Sequence, residues 1–302
     1  MRTIVLSFLF LSAVAFAGDP APQKSSLCAE CSGKMYTADV GTCEACGGYT
    51  ESGAFHLCAK CAIAKGVCQH CGKPLGGPEG LILESDGWKL AATFTSHVGA
   101  ESKGGAVLLH QMNRTRADWA ALTAVLVKEG VDVLSFDLRG HGESTLADGS
   151  KKAWKDFSNE EFLGMVTDAT NAVKTLRARP GLAGKPVVIM GASIGANAAL
   201  RCAAADESIA GVVLLSPGLD YHGVTTEDAM GPYGARPILL VASKDDAKSN
   251  EAVEKLASLA KGAKQLVVYS KAGHGTGMFG QEDSPGALTE SIRGWIAALI
   301  GK

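Results

Sequence analysis

The chain has 302 residues, of which 46% are hydrophobic and 20% are charged, so it is long enough for one large core and a further small unit. The formal net charge at pH 7 is −2, and no basic patch with interleaved aromatic residues occurs in the sequence. Composition and charge therefore exclude the electrostatic signature of a nucleic-acid-binding protein.

The N-terminus predicts export. Arg2 precedes an apolar run from Ile4 to Phe10, and the segment closes on the small-x-small site Ala15-Phe16-Ala17. This pattern is typical of a secretory signal peptide, and it is too short and wrongly flanked for a membrane span. We expect residues 1–17 to be cleaved after Ala17, residues 18–27 to form a linker, and the protein to be periplasmic or extracellular.

Eight of the nine cysteines form four C-x-x-C pairs, the first three of which recur every 15 residues. Glycine follows the second cysteine of several pairs, as in knuckles whose backbone N–H groups point at thiolate sulfurs. Two pairs supply four thiolates, the tetrahedral set that structural zinc prefers. The sequence therefore predicts two closed structural zinc sites in a module at 28–71. The predicted ligands are Cys28, Cys31, Cys43, Cys46, Cys58, Cys61, Cys68 and Cys71.

The cysteine spacing resembles that of treble-clef and cross-brace zinc modules of the RING and FYVE kind. The resemblance implies that pairs one and three share one zinc ion and that pairs two and four share the other. Two sequential ribbons are the alternative arrangement, and disulfides are the competing chemistry because exported proteins meet an oxidising compartment. His56 and His70 are interpreted as bystanders, and a protein partner is a candidate role for the module.

A Gly- and Pro-rich segment at 72–80 reads as a linker, and strand and helix patterns alternate beyond it. This alternation predicts an α/β domain at 81–302 with a mostly parallel, doubly wound sheet. The predicted strands are 81–84, 88–95, 106–110, 131–137, 187–190, 211–215, 238–242 and 265–269. The predicted helices are 116–129, 159–179, 196–205, 250–260 and one that ends near 299.

The segment Gly191-Ala192-Ser193-Ile194-Gly195 joins a predicted strand directly to a predicted helix. A turn this tight leaves no room for side chains beside it, which accounts for glycine or alanine around Ser193. G-x-S-x-G in a strand–turn–helix context is a nucleophile elbow, which lifts the serine hydroxyl above a helix N-terminus. Ser193 is therefore the predicted nucleophile.

Residues 81–302 resemble an α/β-hydrolase over their whole length. The short interval between the strands at 211–215 and 238–242 leaves no room for a large lid, as in compact dienelactone-hydrolase-like or serine-aminopeptidase-like members. The resemblance is carried by His110-Gln111-Met112, the run DLRGHGES at 137–144, the segment 191–195, Asp245-Asp246 and Gly273-His274-Gly275.

The resemblance implies a triad of Ser193, His274 and Asp246, in the chain order that this fold uses. Ser243 stands where the family pattern Gly-x-x-Asp has glycine, which places the acid at Asp246, with Asp245 as the alternative. Ser193 would attack a carbonyl carbon while His274 takes its proton as general base.

The resemblance also implies an oxyanion hole formed by the backbone N–H groups of Ile194 and Met112, with Gln111 as the alternative to Met112. Ser216-Pro217-Gly218 is a candidate wall of the acyl pocket. The remaining notable side chains are interpreted as structural: His110, His141, Cys202 and a strand-end salt bridge between Asp137 and Arg139.

The sequence thus predicts an exported serine hydrolase that cleaves a carboxylic ester of a small acyl substrate through an acyl-enzyme. A thioesterase or a peptidase on the same triad is the alternative within enzymes. From another class, a non-catalytic interaction protein that uses the zinc module is the alternative, because a fold alone does not establish activity. The triad needs no cofactor.

Overall fold

The fold was analysed in a computed structural model, which describes residues 26–65, 67–72, 78–98, 101–281, 283 and 286–301. The predicted signal peptide at 1–17 lies outside these residues, as does the predicted linker at 18–27 apart from its last two residues. Among the helices that are described, none is both long enough and apolar enough to cross a membrane.

The N-terminal unit, residues 26–72, has short elements and little apolar core. Its elements are α1 (Ala29–Ser32), β1 (Gly41–Thr42), β2 (Tyr49–Thr50) and α2 (Ala59–Lys65), with β1 and β2 antiparallel. Its two buried clusters are small: one consists of Cys28, Cys31 and Cys68, and the other of Cys43, Leu57 and Ala62. A unit with so little apolar burial needs a metal or covalent staple to be stable.

The elements of residues 78–301 alternate as the sequence predicts. The strands are β3 (Pro78–Ser85), β4 (Trp88–Thr95), β5 (Gly104–Leu109), β6 (Val131–Phe136), β7 (Thr145–Leu146), β8 (Val187–Ala192), β9 (Ile209–Leu215), β10 (Asp220–Tyr221), β11 (Val224–Thr225), β12 (Ile238–Ser243) and β13 (Lys264–Tyr269). The helices are α3 (Ala120–Lys128), α4 (Asn159–Arg177), α5 (Ile194–Ala205), α6 (Glu227–Tyr233), α7 (Ala247–Leu259) and α8 (Ala287–Ile300). Three 3₁₀ turns lie at Arg116–Trp119, Trp154–Asp156 and Gly275–Met278.

Nine of the described strands form one sheet in the order β3-β4-β6-β5-β8-β9-β12-β13, with β7 paired to β4. Six neighbouring strands run parallel to one another, namely β6, β5, β8, β9, β12 and β13. Strands β3 and β7 pair antiparallel with β4, and β4 pairs antiparallel with β6. Helices α4 to α7 cover one face and α3 and α8 cover the other. Strand β8 is buried along its whole length, as the central strand of a doubly covered parallel sheet should be. The predicted α/β fold class is confirmed.

Several boundaries differ from the sequence predictions. Strand β3 begins at Pro78 and pairs it with Thr95, so the linker predicted at 72–80 is wrong for its last three residues. The predicted helix at 116–129 begins as the 3₁₀ turn Arg116–Trp119 before α3. Strands β7, β10 and β11 were not predicted, because two residues are too few to display a period of two.

Candidate active site and candidate metal sites

The turn at Ser193 has the backbone geometry of a nucleophile elbow. Ser193 separates β8 from α5 and adopts φ 54° and ψ −122°, a conformation that L-residues rarely populate. A Cβ at Gly191 would overlap the backbone of Gly195, and a Cβ at Gly195 would lie 2.5 Å from the carbonyl oxygen of His110. Both glycines are therefore required by close backbone contacts, which hold Ser193 in its strained conformation.

His274 and Asp246 lie at the same edge of the sheet as Ser193, because all three residues follow the carboxyl ends of parallel strands. The Nδ1 atom of His274 is 2.6 Å from Oδ2 of Asp246. The side chains of these two residues are 38% and 18% exposed. The arrangement brings the three predicted triad residues into one region and gives the imidazole a carboxylate partner at Nδ1.

Asp245, the alternative acid, has other partners. Its Oδ1 accepts hydrogen bonds from the hydroxyl of Ser243 and from the N–H of Gly273, the latter at 3.2 Å. The Ser243 hydrogen bond is the main reason that the pKa of Asp245 is lowered. Asp245 therefore fastens the backbone next to His274 rather than the imidazole itself.

The segment 272–276, which we call the histidine loop, is held by side chains from three other loops. Ala272 N–H donates to Ser243 Oγ at 2.7 Å, which gives the serine at the family's glycine position a structural role. Gly275 N–H donates to Ser216 Oγ at 2.9 Å, and Thr276 N–H donates to Gln111 Oε1 at 2.7 Å. The loops after β5, β9 and β12 thus jointly position His274. Sequence reasoning missed these anchors because each contact joins distant parts of the chain.

The predicted oxyanion-hole donors lie beside the elbow. Ile194 is the first residue of α5, and the approach of His110 to Gly195 brings the loop after β5 against the same turn. Neither the Ile194 N–H nor the Met112 N–H donates a hydrogen bond to another described residue. No acceptor among the described residues therefore occupies either N–H.

His110 and His141 are used by the loops around the site. His110 Nδ1 lies 2.7 Å from the carbonyl oxygen of Gln111, and its Nε2 accepts the N–H of Leu138 at 2.9 Å. Burial lowers the pKa of His110 to about 4, so the ring is neutral at pH 7. His141 lies 2.9 Å from the carbonyl oxygen of Arg139 through Nδ1, and burial lowers its pKa as well. These contacts fit the structural roles predicted for both histidines.

The predicted salt bridge between Asp137 and Arg139 is wrong. Asp137 accepts the backbone N–H of Arg116 at 2.8 Å and pairs with its guanidinium. Arg139 instead binds both carboxylate oxygens of Asp168 on α4, each at 2.7 Å. The two side chains point to opposite faces of the sheet after β6, so each finds its partner on a different helical layer.

The eight predicted metal ligands form two sets of four, and within each set all sulfur atoms lie within 4.8 Å of one another. The first set joins cysteine pairs one and four, and the second joins pairs two and three. The cross-brace pairing is therefore wrong, and so is the sequential alternative. The nested pairing arises because the two ends of the unit meet, as the hydrogen bond from Gln69 N–H to the Ser26 carbonyl at 2.9 Å illustrates. The sets are Cys28, Cys31, Cys68 and Cys71, and Cys43, Cys46, Cys58 and Cys61.

The geometry and donor chemistry of both sets fit a tetrahedral thiophilic metal. The sulfur atoms of Cys28 and Cys71 are 3.6 Å apart and those of Cys46 and Cys58 are 3.8 Å apart. A tetrahedron with Zn–S bonds of about 2.3 Å has sulfur–sulfur edges of about 3.8 Å, whereas a disulfide bond is about 2.05 Å long.

The two histidines of the unit are engaged elsewhere. His56 pairs with Glu44 at 2.8 Å, and His70 Nδ1 lies 2.9 Å from the carbonyl oxygen of Ala54. Neither belongs to a set of four ligands. Their interpretation as bystanders therefore fits the structure.

Comparison with known proteins shows that the larger part of the chain has the α/β-hydrolase fold. Residues 100–230 match the family model Hydrolase_4, "Serine aminopeptidase, S33". No curated protein matches the chain. Among solved structures, a dienelactone hydrolase from Anabaena variabilis ATCC 29413 has 19% identity and a TM-score of 0.56, with 74% of this chain and 98% of that chain covered.

Two esterase structures show the same likeness. Est1E from Butyrivibrio proteoclasticus with bound ferulic acid has 17% identity and a TM-score of 0.59, covering 74% of this chain and 100% of that chain. Acetyl xylan esterase 1 from Thermoanaerobacterium sp. JW/SL YS485 has 14% identity and a TM-score of 0.59, covering 74% and 84%. The predicted resemblance is confirmed: these likenesses and the strand order establish the α/β-hydrolase fold.

Proposed function

We propose that this chain, which has the α/β-hydrolase fold and matches a serine aminopeptidase family over residues 100–230, is a serine hydrolase that cleaves carboxylic esters. One observation carries the proposal: a strained serine at a helix N-terminus shares a sheet edge with a histidine whose Nδ1 is 2.6 Å from a carboxylate. Esterases and a dienelactone hydrolase among the similar structures favour an ester over a peptide or a thioester.

In the proposed reaction, Ser193 Oγ attacks the ester carbonyl carbon while His274 Nε2 takes the hydroxyl proton. The carboxylate of Asp246 accepts the Nδ1–H of His274, so that Nε2 carries the lone pair and the imidazolium formed is stabilised. His274 then protonates the leaving alcohol, whose departure leaves an acyl-enzyme. Water activated by the same imidazole cleaves the acyl-enzyme and releases the acid.

The negative charge on the carbonyl oxygen develops next to the N-terminus of α5. The N–H groups of Ile194 and Met112 are proposed to receive it, since neither donates to another described residue. Two such preorganised donors near a helix N-terminus stabilise the tetrahedral intermediate more than the planar ester. Gln111, the alternative donor residue, already serves the histidine loop through its side chain.

The substrate is proposed to carry a small acyl group. The interval between β9 and β12 contains only the hairpin β10–β11 and the seven-residue helix α6, which packs against α5. A substrate site without a large lid favours short acyl chains. Hydrolysis of short p-nitrophenyl esters is therefore expected, and thioesters and peptides serve as comparison substrates for the alternatives.

The N-terminal unit is proposed to hold two structural zinc ions, one in each set of four cysteines. Four thiolates fill a tetrahedral zinc site and leave no position open for catalysis. We further propose that the chain is exported after cleavage behind Ala17, with residues 28–71 as a separate module that docks a protein partner.

The deciding experiment is labelling with a fluorophosphonate probe, which reacts with activated serine hydroxyls. We expect the wild-type protein to be labelled, Ser193→Ala to lose the label, and the exposed-site control Ser208→Ala to keep it. Labelling that persists in Ser193→Ala would contradict the assignment of the nucleophile. A folded wild-type protein that neither takes the label nor hydrolyses esters would favour the interaction protein.

A further inference from the structure

The chain that leaves β9 lies between the loops that carry the proposed nucleophile and the proposed acid. Ser193 N–H donates to the carbonyl oxygen of Leu215 at 2.8 Å, and Ser216 N–H donates to that of Val241, also at 2.8 Å. These two bonds continue the hydrogen bonding of the sheet from β8 through β9 to β12. The start of the segment 216–226 is therefore fixed at the edge of the sheet that carries the proposed triad.

Ser216 combines a strained backbone with a buried hydroxyl. Its φ of 47° lies in a region that L-residues rarely adopt, and its side chain is fully buried. Its Oγ accepts the N–H of Gly275, the residue after His274, at 2.9 Å. A glycine would adopt this φ without the steric cost of a Cβ, but it has no hydroxyl. The serine at this position therefore costs stability and supplies a hydrogen bond to the histidine loop.

Asn197 fastens the same segment to α5. It lies one turn after Ser193 in a helix made mostly of alanine and other apolar residues, and its side chain is fully buried. Its Oδ1 accepts the N–H of Gly218 at 3.0 Å, and its Nδ2 donates to the carbonyl oxygen of Val224 at 2.6 Å. A buried amide is costly unless it is hydrogen-bonded, and asparagine is unfavourable inside helices. The two contacts therefore explain why this helix contains an asparagine.

The stretch between these two anchors has little freedom to move. The Thr226 hydroxyl, which is fully buried, donates to the carbonyl oxygen of Gly218 at 2.8 Å. Gly218 is thus held at both its N–H and its carbonyl group. Only Pro217 separates Gly218 from Ser216, and its ring fixes φ at this position. A shift of Gly218 would therefore be passed to Ser216.

We propose that Asn197 and Ser216 are positioning residues, which together set the distance between the Ser193 hydroxyl and the His274 imidazole. The constraint runs from α5 along the segment after β9 to the backbone next to His274. This inference rests on the proposed function, because both residues act through the proposed nucleophile and base. Neither residue is assigned a contact with the substrate.

Two substitutions of Ser216 separate positioning from stability. Ser216→Ala and Ser216→Gly both remove the hydroxyl, but only glycine relieves the strain at φ 47°, so Ser216→Gly should melt at the higher temperature of the two. We expect kcat for p-nitrophenyl acetate to fall about tenfold or more in both variants with little change in KM, since a misplacement of about 1 Å can cost about 100-fold. A kcat close to that of wild type in Ser216→Gly would overturn the proposal.

A double variant tests whether Asn197 acts through Ser216. Asn197→Ala alone should lower kcat about tenfold, and its combination with Ser216→Gly should lie within about twofold of the lower single variant, because both changes break one path. Fully additive losses would overturn the role of Asn197. The matched control is Ser102→Ala, whose buried hydroxyl donates to the carbonyl oxygen of Gly104 at 3.1 Å, at the opposite end of β5. It should lower the melting temperature and leave kcat unchanged.

Amide hydrogen exchange provides a readout that does not depend on activity. Exchange in the histidine loop, measured by mass spectrometry well below the melting temperature, should be faster in Ser216→Gly and Asn197→Ala than in wild type and Ser102→Ala. Equal exchange in all four proteins would overturn the proposal. A wild-type protein that takes no fluorophosphonate label would instead overturn the proposed function, while the exchange rates would still decide whether Asn197 and Ser216 hold this loop.

Discussion

Replacement of Asp246 by asparagine tests the proposed triad at its most specific contact. In the structure, Oδ2 of Asp246 is 2.6 Å from Nδ1 of His274. A carboxylate only accepts hydrogen bonds there, which keeps the proton on Nδ1 and the lone pair on Nε2. An asparagine can donate its amide N–H to Nδ1 instead, which moves the imidazole proton to Nε2, where it blocks the attack by Ser193.

The exposure of the pair sets the size of the effect. In the well-studied serine protease triad, the same change lowers kcat by about 10⁴, which corresponds to about 5.4 kcal/mol. Here the side chain of His274 is 38% exposed and that of Asp246 is 18% exposed, so water replaces part of the lost stabilisation. We therefore expect kcat to fall by about 10³, or about 4 kcal/mol, with little change in KM.

The matched control is Asp245→Asn, one residue away. Asp245 contacts Gly273 N–H and the Ser243 hydroxyl but not the imidazole, so we expect kcat to fall less than about tenfold. Steady-state hydrolysis of p-nitrophenyl acetate by the two variants and the wild-type protein, with circular dichroism as a check on folding, measures both effects. A crippled Asp245→Asn beside a mild Asp246→Asn would refute the assignment of the acid.

Three further predictions concern stability and the metal sites. Gly191→Ala should lower the free energy of unfolding by at least about 3 kcal/mol, because the added Cβ would overlap the backbone of α5. The control Gly294→Ala, with open space around its Cβ, should raise the free energy of unfolding by about 0.5–1 kcal/mol, and urea unfolding measures both changes. Chelation should release about two zinc ions per chain and unfold residues 28–71, while ester hydrolysis survives. Mass spectrometry that finds four disulfides and no metal would contradict the zinc proposal. Burial lowers the pKa of His110 from 6.5 to about 4, so between these pH values the unfolded chain binds a proton that the folded chain does not. The stabilisation from the neutral His110 ring is therefore complete above pH 6.5 and is lost as the pH falls toward 4, by up to about 3 kcal/mol. Urea unfolding curves of His110→Gln should lack this loss.

The sequence alone was enough to predict the features that depend on residues close together in the chain. The alternation of apolar strands and amphipathic helices is enough to predict a doubly wound sheet, because each element must bury its own apolar face. The glycines around Ser193 predict the elbow, because a tight strand-to-helix turn brings backbone atoms against both Gly191 and Gly195. The C-x-x-C repeats likewise single out the eight thiols that the structure gathers into two sets of four.

The partners of those residues were decided by the tertiary structure. The sequence cannot tell which cysteine pairs share a metal, and the nested arrangement follows from the meeting of the two ends of the unit. The motif around Asp137 and Arg139 suggests one ion pair, but each side chain turns to a different helical layer and binds Arg116 or Asp168. A partner is set by where a side chain points after the chain has packed. Asp137 and Arg139 follow the end of β6, so they need not share a face as alternate residues within a strand do.

The division between the two acids has the same physical reason. The family pattern favours Asp246 over Asp245, but only the structure gives the contacts that separate them: Asp246 lies beside His274, while Asp245 meets Ser243 and the backbone of Gly273. The sequence gives the type of each residue, but contacts between distant segments form only when loops from separate strands meet at one edge of the sheet.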